Sequence, residues 1–273
     1  MRKAGRKLAR RARGFTLVEL MVGLVISMLL LIVISSFYLS QRASYGTQTD
    51  LAGIQENARA IAQLLQRDVR QAGYNDFPAG TTFANANTID ATNDTGTNTS
   101  DTLTFRYFGS DALAAAAPVP TPNPDGTIVD CTGKGVSNIV LQAETFSIAN
   151  DASGMPWLQC TANGTTTPLF PGVERFQVLL GEDTDGDQAI NRYVPPGVAV
   201  MANVRAMMVS VVLVGDSRTN PAPLSTTLSH FGTAYAPANV APASDAGSVV
   251  QLPVDGRLRK HFTFYIAVRN RLN

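Results

Sequence analysis

Two cysteines, two histidines and a single tryptophan among 273 residues leave few of the usual ingredients of catalysis. Two thiols are too few for a disulfide scaffold or a four-thiolate zinc site. His230 and His261 are separated in sequence and have no cysteine or carboxylate at a ligand spacing, so each reads as a surface or edge-strand residue. There is no Walker A loop, no nucleophile elbow and no HExxH pattern, which makes an enzyme the least supported class. Charge is scarce as well. Only 16% of residues are charged, and 22 Lys and Arg against 21 Asp and Glu leave a net +1, so no global argument for nucleic-acid binding exists.

The charge balance hides an asymmetry. Arg2, Lys3, Arg6, Lys7, Arg10, Arg11 and Arg13 precede the first acid, Glu19. Removing those seven from the 22 basic residues leaves 15 against 21 acids, a net −6 for the remainder. A nearly unbroken apolar run follows, from Phe15 to Leu39. As a helix it spans about 35 Å, enough for a hydrocarbon core of roughly 30 Å. The basic flank places the amino terminus in the cytoplasm and everything after residue 40 on the far side. A secretory signal peptide would show small residues at a cleavage site after the run, but Ser35-Ser36-Phe37-Tyr38 supplies a bulky pair. Glu19 is a carboxylate within the apolar segment, where an unpaired charge costs several kcal/mol on insertion-type scales.

The basic leader, Gly14, Phe15 and Thr16-Leu17-Val18-Glu19 opening an apolar helix resemble the class III signal of type IV pilins and type II secretion pseudopilins. The resemblance implies that a prepilin peptidase cuts between Gly14 and Phe15, that the new amino group of Phe15 is methylated, and that the helix stays on the mature protein. It also implies that Glu19 meets the amino terminus of a neighbouring subunit. A carboxylate and an ammonium each buried alone are costly, whereas paired they offset one another. Three regions follow: a cleaved leader over 1–14, a membrane and fibre-core helix half over 15–40, and a periplasmic domain over 41–273.

Leu51, Ile54, Ala58, Ile61, Leu65 and Val69 recur close to 3.6-residue spacing and Gly73 supplies a stop, which predicts one helix from Thr16 to Ala72, roughly 85 Å long. Strands are predicted over 102–108, 139–142, 145–148, 172–180, 204–214 and 261–268. Polar or Pro-rich stretches at 79–101, 114–124 and 215–250 read as loops. One long helix followed by strands predicts an α+β fold with an antiparallel sheet laid on the helix, which is also the pilin architecture. Arg67-Asp68-Val69-Arg70-Gln71-Ala72-Gly73-Tyr74, Gly181 to Asp187 and the closing Tyr265 to Asn270 resemble PilW-type minor pilins.

Cys131 and Cys160 lie on the exported side, where oxidation is normal, and are expected to form a disulfide; two unpaired buried thiols, or a metal site that lacks further ligands nearby, are the alternatives. Asp183, Asp185 and Asp187 alternate and Asn191 stands ninth, resembling a calcium loop, but Gln188 replaces the usual glycine and Val194 the bidentate Glu. A solvated turn is the competing reading. Trp157 is either a binding aromatic or a core or strand residue. The expected protein is a non-catalytic minor pilin of a type IV pilus with no cofactor beyond that candidate calcium. Its expected partners are prepilin peptidase, other minor and major pilins and the inner membrane, with no nucleic acid and no small-molecule substrate. A type II secretion pseudopilin is the nearest rival, and a pilus-tip adhesin is the rival of a different class.

Overall fold

The computed structural model describes residues 14–75, 88–112, 122–218, 220 and 227–268. Residues 1–13 of the leader, parts of the three expected loops and Arg269-Asn270 of the closing motif lie outside the described residues. The chain divides into two units, Met1–Gly46 and Thr47–Asn273. One helix, α1 (Leu17–Gln71), runs through both.

In the first unit every described side chain from Phe15 to Leu39 is exposed, so among the described residues nothing covers the apolar run. Two serine hydroxyls in it are satisfied locally. Ser27 Oγ donates to Gly23 O at 2.7 Å and Ser36 Oγ to Val33 O at 2.8 Å, which lets both lie in apolar surroundings.

In the second unit α1 becomes one-sided. Ile54, Ala58, Ile61, Leu65 and Val69 are buried at the spacing of a single helix face. They share one core with two antiparallel sheets. The first sheet has the order β1 (Ile89–Thr92), β2 (Thr102–Tyr107), β3 (Gln142–Asn150), β4 (Pro156–Ala162), β5 (Thr165–Pro171). It turns Leu103, Phe105, Phe146, Ile148, Leu158 and Cys160 inward. The second has the order β11 (Arg259–Ala267), β8 (Val204–Val214), β6 (Val173–Glu182), β7 (Arg192–Val194). Its inward face carries Phe176, Val178, Leu180, Val209, Val211 and Leu213. Burying a side chain of this size contributes about 1.5–3 kcal/mol, so the shared core is the main source of stability. A two-stranded ribbon joins β9 (Thr227–Ser229) to β10 (Val249–Gln251).

The α+β class stands, with corrections of detail. The expected single sheet is two sheets and a ribbon. The polar stretch at 79–101 contains β1, and the stretch at 215–250 contains β9 and the start of β10, because pairing partners rather than composition make short strands. Ile139 to Leu141 are not a strand; they are exposed in the turn that enters β3.

Candidate functional site

The start of α1 is the first functional feature. Thr16 and Glu19 cap the helix reciprocally: Glu19 N donates to Thr16 Oγ1 at 3.2 Å, while Glu19 Oε2 accepts Thr16 N and Thr16 Oγ1, both at 3.0 Å. This is the capping box expected of Thr-x-x-Glu, and it places the acid at the positive end of the helix dipole. The carboxylate that looked costly in the apolar run therefore has donors within its own chain. Among the described residues its Oε1 accepts no hydrogen bond, and Phe15 is 86% exposed.

The end of α1 is the second. Gly73 closes the helix in the left-handed region at φ 78° and donates its N–H to Arg106 O at 2.8 Å, while Phe108 N donates to Tyr74 O at 2.8 Å. The helix exit is thus tied to β2. Arg67 Nε donates to Asp68 Oδ1 at 2.8 Å and Arg67 Nη2 to Asp130 O at 3.0 Å. Asp68 is wholly buried, and burial pushes its carboxyl up to about 6. Nearby, Glu144 on the inward face of β3 accepts hydrogen bonds from Tyr107 Oη and from Cys131 N at 3.0 Å. Burial, then the proximity of Asp68, pushes Glu144 up to about 8.

Cys131 and Cys160 are joined in a disulfide, with Cα atoms 6.5 Å apart and a sequence separation of 29. On the chain-entropy account a loop of that size contributes about 3.6 kcal/mol. The bond ties the loop before β3 to β4, directly beside Glu144.

The acidic loop between β6 and β7 brings carboxylate oxygens of Asp183, Asp185 and Asp187 within 4.8 Å of one another. Gln188 takes φ +70° at the position where calcium loops usually carry glycine. The fourth expected ligand is turned elsewhere, since Asn191 Oδ1 accepts Thr184 N at 2.6 Å and Thr184 Oγ1 at 3.0 Å. Asp183 is also engaged. Desolvation raises its carboxyl, but the Gly186 and Gln188 amides and Arg205, with Nε 3.5 Å away, hold it below the usual range. Three of the four sequence-predicted ligands therefore converge, and one of them already has a basic partner. At the base of the loop, buried Glu182 accepts Arg192 Nε at 2.7 Å and the Val200 amide, so the turn is anchored whether or not a cation binds. An added Cβ at Gly181 would meet Tyr193 Cε1 at 2.9 Å, so a larger residue there would have to displace that ring.

A family model described as Type IV pilus-assembly protein W (PilW) matches residues 145–270, and one described as the prokaryotic N-terminal methylation motif matches residues 9–35. Together the PilW domain and the methylation motif support a type IV minor pilin of the PilW type. Among solved structures, a type IV-like pilin from Thermus thermophilus aligns at 15% identity and a TM-score of 0.46, covering 80% of this chain and 98% of its own. No curated protein matches the chain. Pilins are structural, non-catalytic subunits, and the methylation motif implies processing by prepilin peptidase, pilin partners and an inner-membrane anchor.

The minor pilin's histidines correct the sequence reading. His230 is only 1% exposed, because the segment from β9 to β10 covers the side of β8 that faces away from the core. Ser210 Oγ lies 2.7 Å from both His230 Nδ1 and His261 Nε2, so one ring nitrogen donates to the hydroxyl and the other accepts from it. Burial, then His261 and Arg175, pushes His230 down to about 3, which keeps it neutral. His261 lies on edge strand β11 and is exposed, as a residue of an edge strand should be. Asp68, Glu144 and Tyr107 were missed altogether. Asp68 lies in the recognised helix-end motif, but nothing in the spacing reveals that Glu144 will face it.

Proposed function

We propose that this minor pilin is cut between Gly14 and Phe15, methylated on the Phe15 amine, held in the inner membrane by α1 with the folded domain in the periplasm, and then drawn into a type IV pilus or its priming complex. The observation that carries the proposal is the Thr16–Glu19 cap. A carboxylate with one oxygen satisfied locally and one open can enter an apolar layer at reduced cost and still accept the ammonium of a neighbouring Phe15. Register follows, since an apolar helix slides freely against another until a charge pair must meet. Cys131 and Cys160 brace the domain, and Asp183, Asp185 and Asp187, with Asn191 after a rotation of its amide, form an accessory calcium loop.

The test is the mass and amino-terminal sequence of the protein in membrane and sheared-fibre fractions of its host, with Glu19→Ala alongside. The wild-type chain should begin at N-methyl-Phe15 in both fractions, and Glu19→Ala should insert in the membrane but be depleted from fibres. An intact Met1, or wild-type levels of Glu19→Ala in fibres, would defeat the proposal. A pseudopilin shares the same processing and the same acid; recovery in a secretion pseudopilus rather than a pilus would decide for it.

A further inference from the structure

The outward face of the five-stranded sheet is almost free of charge. Apart from the Arg106–Asp90 pair at its β1 edge, it presents hydroxyls and amides. Thr104 and Thr145 pair at 2.9 Å, Thr161 and Thr166 at 2.8 Å, and Gln159 Nε2 donates to Ser147 Oγ at 3.1 Å. Trp157, the single tryptophan of the chain, stands half-buried on this face opposite Ala149.

The register between β4 and β5 slips beside it. Phe170 faces Leu158 and Pro168 faces Gln159, which leaves Leu169 as the extra residue of a bulge. Bulges at sheet edges re-aim side chains, and here one borders a pocket of about 310 Å³ lined by Trp157, Gln159, Asn150, Asp151, Thr166 and Pro168. Asp151 is preorganised. Its Oδ1 accepts Ser153 N at 2.8 Å, Ser153 Oγ at 2.7 Å and Met155 N at 2.9 Å, and its Oδ2 accepts Trp157 Nε1 at 3.3 Å. Those hydrogen bonds, led by the Ser153 hydroxyl, hold it below the usual carboxylate range, so it is an acceptor at neutral pH.

The shape and chemistry narrow the occupant. Small-ligand pockets run from roughly 300 to 1,000 Å³, so this one suits a single ring. The indole supplies apolar area. Its N–H lies in the ring plane, so Asp151 sits at the ring edge and not over its face, which is poor geometry for a cation on the indole. An added peptide strand is also disfavoured, because Pro168 and Pro171 remove donors from edge strand β5. What remains is a neutral ring with an apolar C–H face and a rim of hydroxyls.

We propose that the Trp157 pocket binds one pyranose unit of a saccharide, with the indole against its C–H face and Asp151, Asn150 and Gln159 on its hydroxyls. The inference rests on the proposed export of this domain and gives it a ligand.

The single tryptophan makes the test direct. The full chain, in nanodiscs free of glycolipid and sugar detergents, is titrated at millimolar concentrations with glucose, galactose, mannose and N-acetylglucosamine, and Trp157 emission is followed. At least one sugar should give a saturable change, weakened about three- to tenfold by Gln159→Ala or by Asn150→Ala, the loss of one neutral hydrogen bond. No saturable response to any of the four, or one that both variants leave untouched, overturns the proposal, as does a response to tetramethylammonium chloride alone. Glu19→Ala should leave the titration unchanged, so failure of the assembly reading and failure of the pocket are separately visible.

Discussion

The two halves of α1 obey opposite rules within one continuous helix. From Phe15 to Leu39 apolar side chains surround the axis and all are exposed; from Thr47 to Gln71 they occupy one stripe, and that stripe is buried. A helix apolar on every side cannot be satisfied by a single sheet, so its proper solvent is lipid or other helices. A striped helix needs only one neighbour, and its own chain supplies it. The first half is thus reserved for other molecules, while the second holds the domain together.

The largest effect should come from cutting the first half out of its role without touching the second. Gly14→Leu should leave essentially all of the protein as unprocessed precursor on an immunoblot, while domain melting stays at the wild-type value. Mature-size protein would remove the cleavage assignment. Truncating one leucine in each half gives the next contrast. Leu65→Ala should cost about 2–5 kcal/mol of domain stability, as a wholly buried leucine does, whereas Leu30→Ala should fall within about 0.5 kcal/mol. Equal losses would mean that the halves do not divide the labour as described.

Within the domain, pH separates the buried acids from the exposed ones. Glu144 has its folded pKa raised to about 8 and Asp101 likewise, both chiefly by burial, so the folded chain holds protons that the unfolded chain has already lost. That stability is complete below about pH 4 and disappears as pH rises toward 8. Asp68, raised to about 6, loses its share earlier; His230, lowered to about 3, acts in the opposite direction but only below about 6.5. Between pH 6.5 and 8 each of Glu144 and Asp101 should therefore account for a fall of about 2 kcal/mol. Chemical denaturation of Glu144→Gln over that interval should show roughly half the wild-type decline, and an unchanged slope would refute the assignment. The smallest effect is at the acidic loop. Calcium should raise wild-type stability by about 1 kcal/mol and leave Asp185→Ala unmoved; no rise in the wild type would make the loop a plain turn.

Legibility followed the same division. The helix needed only composition and periodicity, since lipid-facing and one-sided patterns are both written along the chain, and Leu17–Gln71 falls within one residue of the predicted limits at each end. Strands with clear alternation, such as β2, β8 and β11, were equally readable. Glu144 was not, because an acid on the inward side of β3 looks like any other polar strand residue until Asp68, Tyr107 and Cys131 arrive around it. Trp157 was noticed as an aromatic of uncertain use, and the pocket beside it depends on a bulge that no local pattern announces.

The linear sequence by itself determined the methylation motif, the apolar half of the helix, the Thr16–Glu19 cap and the stripe that seeks a sheet, for these depend on neighbours within a few residues. Only the tertiary structure decided that Glu144 faces Asp68, that Ser210 lies between His230 and His261, and that Trp157 meets Asp151 at the rim of a pocket. The first two meetings join elements distant in sequence and the third depends on how one hairpin closes, so what sets them is strand register and loop closure.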